Sequence, residues 1–256
     1  MRSLIVAGGC FFLLSGCNTL GTYNAATGRR EFVPISTSTE ISLGSQVHSE
    51  LSSKYHLDDK SEQFQRLRRI GQRISNVSDR QDYIYQFYII DADELNVFTT
   101  PGGNIYIYRG LLDKFGTDDR IAGVIAHEVG HCAARHVAKK YSATLGYNLL
   151  GGLIFNSLED EEVKQVTALS SGVVMNLIFS AYSRKDEYAA DRLAVKYMYL
   201  AGYNVEGFVE SLEILERESR GSRSLLILRS HPYLSDRIKA VKQEISLVQQ
   251  KYGNPE

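Results

Sequence analysis

Residues 121–134 read IAGVIAHEVGHCAA, and they place His127, Glu128 and His131 among small and branched apolar side chains. Apart from Cys132, these three are the only ionisable side chains in the stretch. A helix that is apolar nearly all round is typical of a buried core element. Because burying an unpaired carboxylate is costly, Glu128 needs a compensating partner. The sequence therefore predicts a buried helix with a polar cluster at its centre.

A metal ion would supply that partner. Residues at i and i+4 of a helix lie one turn apart on the same face, so His127 and His131 can reach one ion. Glu128 lies beside them and can take a proton from a metal-activated water, which is the chemistry of the HExxH pattern. A shuffled sequence of this composition contains the HExxH pattern roughly one time in a hundred, so the pattern alone is not decisive. Its apolar context makes the metal-site interpretation stronger. The alternative is a core helix whose two histidines are hydrogen-bonded within the protein, and it would leave Glu128 unexplained.

A zinc enzyme of this type needs a third protein ligand and keeps a fourth position open for water. His136 is a poor candidate, because five residues beyond His131 place it about 140° around the helix, where we expect it to face solvent. Ala134 and Val137 stand where the metzincin extension requires glycine and histidine, so that clan is excluded. The third ligand must come from another element.

Glu187 is the better candidate for the third ligand. On a helix predicted over 186–200, Glu187 and Asp191 share one face with small and apolar residues, and basic residues fall on the opposite face. Two carboxylates on an inward face must be neutralised, which a metal bound by Glu187 and a ligand oriented by Asp191 would explain. A buried ion pair with arginines elsewhere in the chain is the alternative.

A fourth residue, His231, precedes Pro232 and a predicted helix that carries Arg237. Close to a zinc ion, its imidazole could donate a hydrogen bond to the oxyanion of a tetrahedral transition state. A single histidine beside proline is more often an ordinary loop residue. This assignment therefore depends on the rest of the site.

The remaining pattern predicts a helix-rich α+β fold with one small β-sheet or hairpin beside the helix of residues 121–134. Two β-rich runs around Pro101-Gly102-Gly103-Asn104 predict the hairpin, and the alternation over 83–90 predicts a further strand. Polar and acidic residues interrupt the region 145–182, so we expect a helical hairpin over the site or against a partner rather than a membrane span. Helices are predicted over residues 40–55, 60–77, 117–140, 186–200, 206–218 and 235–250.

The N-terminus has the features of an export leader. Arg2 precedes an apolar run over 4–14 that is too short to cross a bilayer permanently. The run ends in Leu14-Ser15-Gly16-Cys17, which resembles the bacterial lipobox, where small residues precede a cysteine that is lipidated. A plain signal peptide with an incidental cysteine is the alternative.

These features divide the chain into a signal peptide over 1–16, a lipidated tether over 17–39 and a folded domain over 40–256. Asn18, after the lipidated position, is compatible with sorting to the outer membrane. Only Cys132 remains as a thiol in the domain, so we expect no internal disulfide and a role for Cys132 as a small hydrophobe. The formal net charge of −1 argues against nucleic acid as a partner.

Together these residues resemble the zinc metallopeptidase family M48, over about residues 30–250. Four segments match in order along the chain, and four ordered motifs are far more specific than HExxH alone. They are Asn96-Val97-Phe98 with Pro101-Gly102-Gly103, then the HExxH helix, then Ser183-Arg184 with Glu187 and Asp191, then His231-Pro232 with Arg237.

The resemblance implies a zincin-type domain with one zinc ion. Glu128 would act as the general base and His231 would stabilise the transition state. Asp191 would interact with Arg237 and with the ligands. The implied zinc ligands are His127, His131 and Glu187.

The resemblance also implies hydrolysis of protein or peptide substrates by metal-activated water. We expect the strand around Ile105 to line the cleft and to receive substrate as an added strand. The spanning helices of the prenyl protease and HtpX branches are missing, so the chain looks most like the short bacterial lipoprotein branch. That branch implies a lipid-anchored outer-membrane enzyme that faces the periplasm, degrades misfolded envelope proteins and meets outer-membrane assembly proteins. The competing hypothesis is a non-catalytic, zinc-containing chaperone or assembly factor.

Overall fold

Helices dominate the computed structural model, which describes residues 21–155, 171–221 and 225–253. The described helices are α1 Thr37–Lys54, α2 Glu62–Asn76, α3 Arg109–Phe115, α4 Asp118–Ala133, α5 His136–Phe155, α6 Ser171–Phe179, α7 Arg184–Leu200, α8 Glu206–Gly221, α9 Ile227–Ser230 and α10 Leu234–Tyr252. The described strands are β1 Thr22–Asn24, β2 Arg29–Glu31, β3 Leu57–Asp58, β4 Gln86–Ile90, β5 Val97–Thr99 and β6 Asn104–Tyr108. The prediction of a helix-rich α+β fold is confirmed, although two small sheets are present where one was expected. The predicted leader, with Cys17 and Asn18, lies outside the described residues.

The larger sheet has the strand order β3-β4-β6-β5. Strands β4 and β6 run parallel with Phe87 opposite Ile105, and β5 and β6 form the predicted hairpin with Phe98 opposite Tyr106. The hairpin turn requires glycine, since Gly102 has a φ of 83°, which L side chains rarely adopt. The expectation that the strand around Ile105 receives a substrate strand is wrong, because β4 and β5 already occupy both edges of β6. The edge strand on this side of the described sheet is β5, whose residues are buried.

Helix α4 is the predicted buried helix. The Thr117 hydroxyl caps it by accepting from the Arg120 N–H, and every residue from Ile121 to Ala133 is buried. It packs against α2, α7, α8 and β5. Its approach to α7 is close because of Gly130, where an added Cβ would lie 2.9 Å from the carbonyl oxygen of Ala190. Side chains of α7 can therefore reach the histidines of α4.

The helix predicted over 117–140 is broken into α4 and α5. Arg135 has a φ of 58°, a conformation that costs a residue with a side chain some backbone energy. Its guanidinium donates to the Glu40 carboxylate at 2.6 Å and to the Ile35 carbonyl at 2.7 Å, and these bonds offset that cost. His136 consequently begins a separate helix, α5.

The smaller sheet pairs β1 with β2 and lies against the end of α4. The Asn24 side chain donates to the Ala133 carbonyl at 3.2 Å, and Lys139 of α5 forms an ion pair with Glu31 at 2.8 Å. Part of the segment 17–39 therefore packs on the rest of the fold.

Helices α5 and α6 occupy the described parts of the region 145–182. They pack on each other, and α6 also contacts α1, β5 and α9. The ring of Phe179 meets that of Phe98 edge-on at 4.9 Å, which places α6 beside the end strand of the sheet. Of the helices that the structure describes, none is both long and apolar enough to cross a membrane.

Candidate active site

Three separate segments bring the candidate site residues together. His127, Glu128 and His131 lie in the buried centre of α4. Glu187 lies in the first turn of α7, which begins with a capping box at Ser183. Such a box satisfies the free N–H groups at the start of a helix and fixes its first turn. His231 completes the site from the segment between α9 and α10.

Four side-chain atoms converge at the centre of this site. The Nε2 atoms of His127 and His131 are 3.0 Å apart, and His131 Nε2 is 3.4 Å from Glu187 Oε1. His231 Nδ1 lies 3.1 Å from Glu187 Oε1 and 3.3 Å from His127 Nε2. These residues can each offer one ligand atom, and the four atoms lie within 4.8 Å of one another.

This spacing fits a tetrahedral metal ion. With metal–ligand bonds of ~2.0–2.1 Å, the ligand atoms of a tetrahedral site stand roughly 3.3 Å apart. The Nε2 atoms of His127 and His131 face each other, and a metal ion between them would take both lone pairs in place of the one proton that two neutral imidazoles could share. The donor set of imidazoles and one carboxylate is the set that zinc prefers.

Unpaired polar atoms surround the same point. Both carboxylate oxygens of Glu128 and the Nε2 of His231 are buried without a hydrogen-bond partner among the described residues. Glu128 Oε1 and His231 Nε2 are 3.4 Å apart, without hydrogen-bond geometry. A buried carboxylate without a partner is strongly unfavourable. A metal ion and its water would satisfy these atoms, so the residues present fit the metal that the sequence predicts.

Arg237 of α10 forms ion pairs with both carboxylates of α7. Its Nη1 lies 2.6 Å from Glu187 Oε2, and its Nη2 and Nε donate to Asp191 at 2.7 and 2.9 Å. Burial alone would raise the pKa of Glu187, but the charges of Arg237 and His231 outweigh it and hold the pKa well below its usual range. Asp191 Oδ1 is also 2.9 Å from His127 Nδ1, so His127 can donate there and direct its Nε2 lone pair into the cluster.

The environment of Glu128 is different from that of Glu187. Complete burial raises the pKa of Glu128, and the nearby positive charge of His231 only partly opposes this effect. Glu128 has no arginine of its own, whereas Glu187 contacts Arg237. The two environments therefore shift the pKa values of the two carboxylates in opposite directions. This is the arrangement expected when one carboxylate is a ligand and the other transfers protons.

Two further residues of the site were missed in the sequence. The expectation that His136 faces solvent is wrong, since the side chain is 3% exposed and its Nδ1 lies 2.8 Å from His131 Nδ1. Burial lowers the pKa of His136 to about 4. The ring of Tyr182 lies against that of His131, with centroids 4.0 Å apart and the ring planes tilted by 33°. The break at Arg135 turns His136 inward, and no local pattern in the sequence indicates it.

The space beside the cluster is small. A cavity of about 10 Å³ borders His127, Glu128 and His231, and apolar side chains such as Val97 and Phe208 line the rest of it. Such a volume holds about one water molecule. His231 Nδ1 lies beside this cavity, within 4.8 Å of the ligand atoms of the other three residues.

Comparison with known proteins agrees with this geometry. The chain is 27% identical over 256 residues to Metalloprotease LoiP of Escherichia coli, which covers 96% of this chain and 97% of that protein. It is 25% identical to Mitochondrial metalloendopeptidase OMA1 of Schizosaccharomyces pombe, over 97% of this chain and 72% of that protein. The Beta-barrel assembly-enhancing protease of Escherichia coli is 24% identical over 80% of this chain and 43% of its own length. The model of Peptidase family M48 matches residues 61–245, which contain every candidate residue of the buried cluster, and the chain therefore belongs to Peptidase family M48.

Proposed function

We propose that this metalloendopeptidase uses zinc bound by His127, His131 and Glu187, with Glu128 as the general base. The observation that carries the proposal is the convergence of the ligand atoms within 4.8 Å, directly beside a buried carboxylate that has no other partner. The family membership supplies the reaction class, which is hydrolysis of peptide bonds in proteins or peptides.

When bound, zinc supplies Lewis acidity that makes water a good nucleophile near pH 7 and polarises the substrate carbonyl. Glu128 takes the proton of the attacking water and delivers it to the leaving amine, and its raised pKa suits a group that must accept and then release a proton. His231, whose Nε2 lies 3.4 Å from Glu128 Oε1, would donate a hydrogen bond to the oxyanion. Arg237 and Asp191 hold Glu187 and His127 in place during the reaction.

A non-catalytic zinc protein is the second candidate. His231 brings the number of potential ligands to four, and closed four-ligand sites are typical of structural zinc. A structural site gives Glu128 no role, although this carboxylate is buried beside the cluster at a cost. We therefore rank the peptidase first.

The test compares Glu128→Gln with wild type and with Glu50→Gln, an exposed position on α1. We expect Glu128→Gln to keep one zinc ion per chain and to lose cleavage of an unfolded protein, with Glu50→Gln unchanged in both measurements. Glu187→Ala should lose zinc. Wild-type cleavage by Glu128→Gln would refute the base assignment, and unchanged zinc content in Glu187→Ala would remove Glu187 as a ligand.

We also propose that Cys17 carries a lipid that attaches the enzyme to the outer membrane, facing the periplasm. The lipobox-like sequence and Asn18 support this proposal, with residues 1–16 as the leader, 17–39 as the tether and 40–256 as the peptidase domain. Cys17→Ser should release the protein from the membrane fraction. Continued pelleting of that variant with membranes would count against lipidation.

For the substrates we propose misfolded or misassembled envelope proteins. One relative is named for enhancing β-barrel assembly, which suggests outer-membrane assembly proteins among the partners. Proteomic comparison of envelopes that contain wild-type or Glu128→Gln enzyme should show substrates that accumulate only with the variant. An unchanged envelope proteome would contradict this substrate class.

A further inference from the structure

A chain of contacts runs from the buried metal cluster through His136 to the partly exposed start of α7. His136 Nδ1 is 2.8 Å from His131 Nδ1, on the side of the ring that faces away from the cluster. On the other side of its own ring, His136 Nε2 lies 3.5 Å from Asp186 Oδ1. The opposite oxygen of Asp186 is engaged by the Ser183 cap, which leaves Oδ1 directed at His136.

The positions of the protons along this chain follow from the chemistry of imidazole. A neutral imidazole carries one N–H and one lone pair, so two Nδ1 atoms in contact share one proton. If His131 presents its Nε2 lone pair to a metal, its proton must lie on Nδ1, and His136 must accept it. The proton of His136 then lies on Nε2, where it faces Asp186. The reverse arrangement would direct an N–H of His131 into the metal cluster.

The two histidines of α4 are thus oriented by different groups. His127 donates from its Nδ1 to the carboxylate of Asp191 at 2.9 Å. On the corresponding side of its ring, His131 meets the imidazole of His136 instead, 2.8 Å away, and no carboxylate of the described residues forms an ion pair with its Nδ1. Only the break between α4 and α5 makes this contact possible, because it turns His136 toward the helix that precedes it.

We propose that His136 is a positioning residue for the metal site. It accepts the hydrogen bond from His131 Nδ1, and it thereby fixes the tautomer and ring orientation that present His131 Nε2 to the ion. Asp186 Oδ1 lies 3.5 Å from His136 Nε2, on the side of the ring where this arrangement places the proton of His136. The inference rests on the proposed zinc site and concerns residues that do not themselves touch the ion.

The test measures zinc affinity of the full chain by competition with a chelator, for wild type, His136→Asn and His136→Leu. An asparagine oxygen can take the place of Nδ1 as acceptor, whereas leucine fills similar space without one. Loss of a group that orients a ligand costs about 10–100-fold in metal affinity, so we expect that loss for His136→Leu. His136→Asn should keep most of the wild-type affinity.

Two results of this comparison overturn the proposal. Equal losses in both variants would mean that His136 acts through packing, and unchanged affinity in both would mean that it does not act on the site. Failure of the wild-type chain to bind zinc would instead refute the proposed function itself, so the two failures are distinguishable.

A second measurement needs no variant, so it stands even if His136→Leu fails to fold. Nitrogen-15 chemical shifts of the imidazole rings in the zinc-loaded protein report which nitrogen carries a proton. We expect His136 to carry its proton on Nε2 and to have a bare Nδ1 at pH 7. A protonated Nδ1 on His136, in a neutral or a charged ring, would overturn the assignment.

Discussion

The carboxylate of Glu40 in α1 is buried and shared between two arginines. Oε1 accepts from Arg80 at 3.0 Å and from Arg135 at 2.6 Å, and the Tyr83 hydroxyl donates to Oε2. Arg80 also donates to the Cys132 carbonyl near the end of α4 at 3.2 Å. Glu40 therefore ties α1 to the end of the helix that carries the metal-site histidines. Replacing it with alanine should destabilise the fold strongly.

The loss of stability in Glu40→Ala depends on which partners Arg80 and Arg135 keep after the substitution. Removing one partner of a buried ion pair costs about 3–5 kcal/mol, because the remaining charge stays buried. Arg80 keeps Asp82 at 2.8 Å, and Arg135 keeps the Ile35 carbonyl at 2.7 Å. We therefore expect the lower end of the range, about 3 kcal/mol. For a chain of this size that corresponds to a fall in Tm of roughly 6–12 °C.

Thermal unfolding of the full chain at fixed zinc concentration measures this loss. The matched control is Glu213→Ala, which removes an exposed carboxylate from an ion pair with Lys242 at 2.9 Å. Exposed pairs contribute about 0–1 kcal/mol, so the control should change Tm little. Glu40→Gln, which keeps the shape and one acceptor, should fall between the two. If Glu40→Ala lost no more stability than Glu213→Ala, the buried carboxylate would not be what holds the arginines.

Three further outcomes are expected. Gly130→Ala adds a methyl group 2.9 Å from the Ala190 carbonyl oxygen, so α7 must move away from α4 with its ligand, and chelator competition should show weaker zinc binding. The control is Gly146→Ala, whose added methyl group would have no atom of the described residues within 4 Å. It should leave zinc binding unchanged and gain up to ~1 kcal/mol of helix stability. Burial raises the pKa of Cys132 to about 12, so the thiol keeps its proton at pH 8. Alkylation of Cys132 at pH 8, mapped by mass spectrometry, should therefore occur only in denaturant. Rapid labelling of the folded chain would contradict this expectation. Removal of zinc by a chelator should lower Tm in proportion to RT ln(1 + [zinc]/Kd), and a Tm that does not depend on zinc would show that the folded state gains nothing from the ion.

Some features of this protein follow from short stretches of sequence. The buried character of α4 after its first turn was readable because residues 121–134 are nearly all apolar, and their only ionisable groups besides Cys132 form HExxH. The inward face of α7 was readable for the same reason, since helical periodicity places Glu187 and Asp191 on one side. The hairpin before α4 follows from β-rich runs around a glycine turn. In each case the signal lies within one or two elements, where backbone geometry alone relates sequence to space.

Other features were decided by contacts between residues far apart in the chain. Glu40 holds Arg135 across 95 positions, and this contact accompanies the break that buries His136. Strand β6 lies inside the sheet because β4, which precedes the hairpin, pairs with its free edge. The placement of His231 Nδ1 among the ligand atoms depends on how α10 docks through Arg237. Periodicity specifies which face of an element is buried, but only the packing of whole elements decides which buried groups meet and where a helix must end.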